Sequence, residues 1–291
     1  MSINKISTKF SWTYIFFKSI INITFSSILF IFLGCKSSKI PIKDYKWKII
    51  DPLPLNANIE NQISQILAKL TLEQKVGQVI QGDSDSVTPE EVKKYRLGSV
   101  LSGGNSAPGP LPYADTQSWL KKADAYYNAS IDEEGVEIAI PIIWGIDAVH
   151  GHANLKGAII FPHNIGLGAT KNPDLIEKIA SITAHELTVS GHDWTFAPTL
   201  AIPKDTRWGR SYEGFSENPE IAELYGDRIV IGLQGELGSK KFMTDGKVIS
   251  SAKHFLADGA TLNGVDQGDA LISEEELARI HAAGYYSAIP A

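Results

Sequence analysis

Cysteine is almost missing. The 291 residues contain one, Cys35, so no disulfide can form within the chain, and a single thiol in an exported protein needs its own explanation. Blocks of basic residues are also missing. Lys and Arg number 27 against 33 Asp and Glu, a net charge of -6, and the two signs are interspersed. Phosphate binding needs clustered cations, so a nucleic-acid partner is excluded. Repeats of solenoid period and low-complexity tracts do not occur either. What is present is ordinary for a protein with a real core: 43% hydrophobic and 21% charged residues, which excludes disorder over most of the length. The length suits one large α/β barrel. An uncharged ligand such as a sugar fits the charge balance without being demanded by it.

The one long apolar run lies near the N-terminus. Lys5, Lys9 and Lys18 precede or enter it with no acidic residue among them, and Ile20 to Leu33 is dominated by Ile, Phe and Leu. A basic region followed by an apolar stretch of this length is a signal-peptide pattern, and the stretch is short for a transmembrane span. Phe32-Leu33-Gly34-Cys35 resembles a bacterial lipobox, which implies a lipidated Cys35 as the mature N-terminus. Acyl chains contribute about 0.8 kcal/mol per buried methylene. The alternative is an uncleaved membrane anchor with an incidental cysteine. The expected organisation is a signal peptide at 1–34, a tether at 35–52 and a barrel domain at 53–291, exported and held at a bacterial membrane, on the periplasmic or cell-surface side.

Strand and helix patterns alternate along the rest. Asn61 to Leu70 reads as an amphipathic helix. Thr71 with Gln74 forms a capping box. Asn172-Pro173 and Asn218-Pro219 each combine an N-cap with proline at the first helical position; the first opens a helix over Asp174 to Ser190, the second one that ends near Gly235. Ser273 with Glu276 opens another, through Tyr286. Strands are expected at Val76–Gln81, Gly98–Leu101, Ile142–Ile146, Thr195–Pro198 and Val248–Ala252. This alternation predicts a parallel sheet with helices outside. The fold class is α/β, a (β/α)8 TIM-type barrel of which about five or six strands are present, where a closed barrel has eight.

The active site of such a barrel gathers at the C-terminal ends of its strands. The third expected strand leads into Asp147 and His150, the fourth toward Arg207-Trp208-Gly209-Arg210 and Glu213, the fifth into Lys253-His254-Phe255. Carboxylates that accept from vicinal hydroxyls, cations that donate to them and an aromatic wall suit a sugar. Trp208 is either a stacking platform or a packing residue. His150, His152 and His163 raise the question of a metal, but no further cysteine or spaced carboxylate completes a ligand set, so no metal and no cofactor is expected.

These residues also form motifs. Gly145–Gly151 (GIDAVHG) followed by Ile160–Thr170 (IFPHNIGLGAT), then Arg207–Pro219 (RWGRSYEGFSENP), then Ala252–Phe255 (AKHF) with Asp258-Gly259, and Val265–Asp269 (VDQGD) resemble, in this order, glycoside hydrolase family 3, in its branch of exo-acting bacterial β-glucosidases and β-glucan exohydrolases. The resemblance implies that Asp147, Arg210, Lys253 and His254 hold a terminal non-reducing glucose, with His150 and Glu213 as supports behind them. It implies hydrolysis of O-glycosyl bonds of β-glucans or cello-oligosaccharides with retention. It assigns no catalytic residue here. The family's nucleophile lies in a Ser-Asp-Trp-like motif downstream of the lysine-histidine motif. His192-Asp193-Trp194 precedes the fourth strand and is not equivalent. The acid/base glutamate comes from a second domain. The chain is therefore expected to be an inactive fragment of a larger enzyme. The alternatives are a non-catalytic glucan-binding lipoprotein or pseudoenzyme, and a β-xylosidase. A β-N-acetylglucosaminidase is disfavoured by Asp258, where those enzymes resemble a pattern with His.

Overall fold

Each strand of this chain is followed by a helix, and that local order determines the architecture. A computed structural model describes residues 47–50, 55–104 and 106–291. The apolar run at Ile20–Leu33, Cys35 and most of the expected tether lie outside the described residues.

The described elements run α1 (Ala57–Lys69), α2 (Leu72–Gln78), β1 (Gln81–Asp83), α3 (Pro89–Tyr95), β2 (Ser99–Ser102), α4 (Thr116–Ser130), β3 (Ile143–Ile146), α5 (Asn164–Ala169), α6 (Pro173–Thr188), β4 (Trp194–Thr195), α7 (Pro219–Gln234) and β5 (Ile249–Ser250). A final helical segment has α8 (Glu274–Glu276), a π-helical turn (Leu277–His281) and α9 (Ala283–Ala288). The five described strands form one sheet in the order β1-β2-β3-β4-β5. Every neighbouring pair is parallel, with Val100 opposite Trp144, Gly145 opposite Trp194 and Trp194 opposite Ile249. Sequential parallel strands need a crossover each, which the helices supply. The result is a wall of a TIM-type barrel, as expected from the alternation.

Polar caps start the helices. Asn56, Thr71, Thr88, Asp115, Asn172 and Asn218 each accept a backbone N–H of the first turn, and Thr71/Gln74 and Thr88/Glu91 are full capping boxes. Ser273 accepts from Glu276 N. One expectation fails. Val76–Gln81 is not a strand: the Thr71 box drives Leu72–Gln78 into a helix, and β1 is the three residues Gln81–Asp83. Three helices that the patterns do not announce, α3, α4 and α5, fill the first half.

The core lies between the sheet and the helices. Trp119 from α4 and Trp144 from β3 are buried, their rings 5.8 Å apart. Beside them Ser190 Oγ lies 3.0 Å from His152 Nε2 and 2.9 Å from His192 Nδ1. Both histidines are fully enclosed. Burial therefore lowers the His152 pKa to about 4 and holds that of His192 well below its ordinary value, helped there by neighbouring positive charge. On the other side, α6 packs along α7, and α7 along α9. Gly232 and Gly226 are the close-approach points: a Cβ on Gly232 would lie 2.5 Å from Glu177 O, and one on Gly226 2.5 Å from Gly284 O.

Candidate active site

Three strand ends meet on one face. Asp147 follows β3 directly. The backbone past β4 and β5 stays paired, Lys253 N donating to Pro198 O at 2.9 Å and Leu200 N to Lys253 O at 2.7 Å. This pairing brings Lys253 beside Asp147 across the exits of β3 and β5, and Lys253 Nζ donates to Asp147 Oδ1. The lysine is largely covered while the Asp147 side chain is 47% exposed. The carboxylate thus keeps lone pairs for a ligand from solvent.

The long segment after β4 delivers the second half. Trp208 is 2% exposed and donates from Nε1 to Asp266 Oδ1 at 2.8 Å, so it is a packing residue and not a stacking platform. It anchors a 3-10 turn at Ser211–Glu213. Asn164 Nδ2 fixes that turn by donating to Glu213 O at 2.7 Å. From its edge Arg210 makes a two-pronged pair with Glu213, Nε to Oε1 at 2.7 Å and Nη2 to Oε2 at 2.8 Å. The same Nη2 lies 3.0 Å from His254 Nε2. Glu213 is therefore a partner of Arg210.

Electrostatics follow from this packing. The Glu213 hydrogen bonds push the Arg210 pKa up. Burial works to raise Glu213, yet Arg210, Lys253 and His254 together hold it below the usual carboxylate range. Burial lowers His254, reinforced by Arg210 and Lys253 and opposed by Asp258 and Glu213. An Nε2 that accepts from Arg210 presents its lone pair and carries no proton.

The four residues singled out in the sequence, Asp147, Arg210, Lys253 and His254, are thus joined in two contacts, Asp147–Lys253 and Arg210–His254, with Lys253 and His254 adjacent in the chain. The structure adds Asp258, whose Oδ2 lies 2.8 Å from His254 Nδ1 and 3.8 Å from Arg210 Nη1. The sequence placed Asp258 in the lysine-histidine motif without giving it a role. The other histidines point elsewhere. His150 Nδ1 faces Phe161 O at 2.8 Å, His163 caps α5 through Nδ1, and His152 is bound to Ser190. Among the described residues no three His, Cys, Asp or Glu side chains converge as metal ligands.

Known proteins resemble the chain in sequence and fold. The profile described as "Glycosyl hydrolase family 3 N terminal domain" matches residues 71–291. A crystal structure of an exo-1,3/1,4-beta-glucanase from a Pseudoalteromonas species is 47% identical with a TM-score of 0.80, covering 84% of this chain and 31% of that one. A lysosomal beta glucosidase of Dictyostelium discoideum is 32% identical over 248 residues, 78% of this chain and 29% of its own length. A periplasmic beta-glucosidase of Salmonella typhimurium is 25% identical over 229 residues, 79% of this chain and 27% of its own. The chain thus spans less than a third of the length of these relatives.

Proposed function

The chain belongs to glycosyl hydrolase family 3 through its N-terminal domain, and on that premise we propose that it builds the glucose-holding part of an exo-acting β-glucosidase site. The supporting observation is the contact between Lys253 and a half-exposed Asp147 at the exits of β5 and β3. A carboxylate held by one cation can still accept from two vicinal hydroxyls, and the ammonium has donors left for a sugar oxygen. Arg210 and His254 extend the same polar wall. The substrate class is a β-glucan or β-linked gluco-oligosaccharide entered from its non-reducing end. The overall reaction is hydrolysis with retention.

Retention requires a nucleophile and an acid/base carboxyl about 5–5.5 Å apart. The three carboxylates in this cluster are engaged otherwise: Asp147 with Lys253, Glu213 with Arg210, and Asp258 beside His254. Each stabilises a cation or a ring, so we assign all three to binding and positioning and none to the role of a reacting carboxyl.

The test is glucose binding by the full chain, measured by calorimetry or saturation-transfer NMR. Asp147→Ala removes a charged acceptor and is expected to weaken binding at least about tenfold. Equal affinity in the variant, or no binding of glucose by the unaltered chain, would sink the assignment. Xylose serves as the comparison ligand, and a preference for it would shift the substrate class to β-xylosides.

We also propose export and lipid anchoring at Cys35. Its support is the lipobox-like Phe32–Cys35 string together with the periplasmic name of the Salmonella relative. Mass spectrometry of the membrane-bound protein should find a diacylglyceryl group on Cys35; an unmodified thiol would remove the proposal.

A further inference from the structure

We propose that Asp258 is a positioning residue: its carboxylate keeps the proton of His254 on Nδ1, leaving Nε2 as the acceptor that orients Arg210. The consequence for sugar binding rests on the function proposed above; the geometry does not.

Arg210 Nη2 lies 3.0 Å from His254 Nε2. A guanidinium carries only donors and does not lose its proton in proteins. His254 Nε2 must therefore present its lone pair, and a neutral ring then carries its proton on Nδ1. That nitrogen is 2.8 Å from Asp258 Oδ2. At this spacing a bare nitrogen lone pair and a carboxylate oxygen would repel, whereas a protonated Nδ1 and the carboxylate attract. The two contacts thus demand the same tautomer from opposite sides of the ring. The approach is short but off-axis: neither Nδ1 nor Oδ2 makes an aligned hydrogen bond, so the contact acts on the ring through charge at 2.8 Å.

Asp258 is also built not to move. Ala257 turns the chain through a left-handed conformation (φ 73°) into the 3-10 turn Asp258–Ala260. Gly259 then presses on the segment leaving β4: a Cβ there would lie 2.3 Å from Ile202 O, and Lys204 N donates to Gly259 O at 2.9 Å. The Asp258 side chain is 11% exposed, too enclosed to serve a ligand directly. It approaches Arg210 at Nη1, at 3.8 Å, whereas Glu213 takes Nε and Nη2. Four charged groups face the His254 ring: Arg210 and Lys253 oppose its protonation, Asp258 and Glu213 favour it. Removing Asp258 leaves two cations against one carboxylate. It also permits the Nε2–H tautomer, which would set a donor against the Arg210 donors and push the guanidinium away.

Long-range 1H–15N NMR of the full chain, labelled at histidine and held in detergent micelles, reads this directly. The His254 signals are those lost in His254→Gln. The unaltered chain should show the Nδ1–H tautomer at neutral pH. Asp258→Ala should populate Nε2–H and weaken glucose binding about tenfold. Asp258→Asn keeps the size and an acceptor oxygen, so should Asp258→Ala fail to fold, it carries the test. Without the charge, the protonation midpoint of His254 should fall by about one unit. An Nε2–H tautomer in the unaltered chain overturns the proposal, as does a tautomer and midpoint indifferent to both substitutions. If the tautomer follows Asp258 while the unaltered chain binds no glucose, positioning stands and the sugar reading falls.

Discussion

At the scale of single residues, the site is a set of charges each held by a neighbour the chain brings from far away. Asp147 and Lys253 are 106 residues apart, Arg210 and His254 44, and Trp208 and Asp266 58. Asp147, Lys253 and His254 could be picked from the sequence because they stand immediately after expected strands, where barrel sites gather. Arg210 needed more, since a segment of over a dozen residues separates it from β4; its motif identified it. Asp258 and Asp266 received no role because loop folding alone determines what they touch, and neither periodicity nor capping chemistry reports on that. Gly145 illustrates a residue whose purpose is only steric. A Cβ there would lie 2.6 Å from the Phe196 ring and 3.0 Å from Trp194, two rings that pack edge to face at 4.8 Å. Gly145→Ala should therefore cost about 1–3 kcal/mol, the usual range for overpacking a filled site. Urea unfolding monitored by tryptophan fluorescence checks this, and an unchanged midpoint would mean that Phe196 moves aside freely.

At the scale of elements, helices were readable in proportion to their caps. Asn172-Pro173 and Asn218-Pro219 marked α6 and α7 to within a residue or two, since an N-cap followed by proline satisfies one orphan N–H and removes another. The gap lies in the first half. In α4 only Trp119, Tyr126 and Ser130 are buried, so its apolar stripe is too thin for helical periodicity to show. In α5 two glycines sit within six residues. Four of the five expected strands fell on β2 to β5, located by their apolar runs and not by alternation. With two to four residues each, they leave almost no room for a period of two to register. Val76–Gln81 was misread for a physical reason. Val76, Val79 and Ile80 form an apolar run, but all three are solvent-exposed, and the Thr71 capping box outweighs β-propensity there. Where backbone chemistry and hydrophobic pattern disagreed, the cap prevailed. In the second half the two agreed, and β3, β4 and β5 fell where expected, although shorter.

At the scale of the whole molecule, the balance is between a core completed by buried histidines and a surface left apolar. Ile59, Ile63 and Leu67 form a stripe along α1 that is exposed to solvent, and α1 buries no residue. Stability must come from the packing of the β2–β4 wall against α4 and α6, and of α7 against α6 and α9. Three enclosed histidines lie within that packing: His152 and His192 beside Trp119, and His281 in the π-helical turn. Burial holds His152 and His281 near a pKa of about 4 and lowers His192 well below its ordinary value. A folded pKa below the unfolded one, about 6.5, means that the unfolded chain binds more protons in acid. The stability these residues contribute is thus complete above about pH 6.5 and is lost as pH falls toward 4. Each fully differential histidine gives a slope of about 1.4 kcal/mol per pH unit. Three acting together would lose roughly 4 kcal/mol per unit, a large part of the total for an ordinary domain. Glu213, held below its ordinary value, is ionised in both states across this window, whereas burial raises Asp193 and so opposes the histidine slope as the pH falls. Urea midpoints should therefore fall steeply between pH 6.5 and 5, and His152→Gln, which cannot take up the proton, should flatten the slope by about a third. A midpoint constant across that range would show that these rings charge without unfolding the chain.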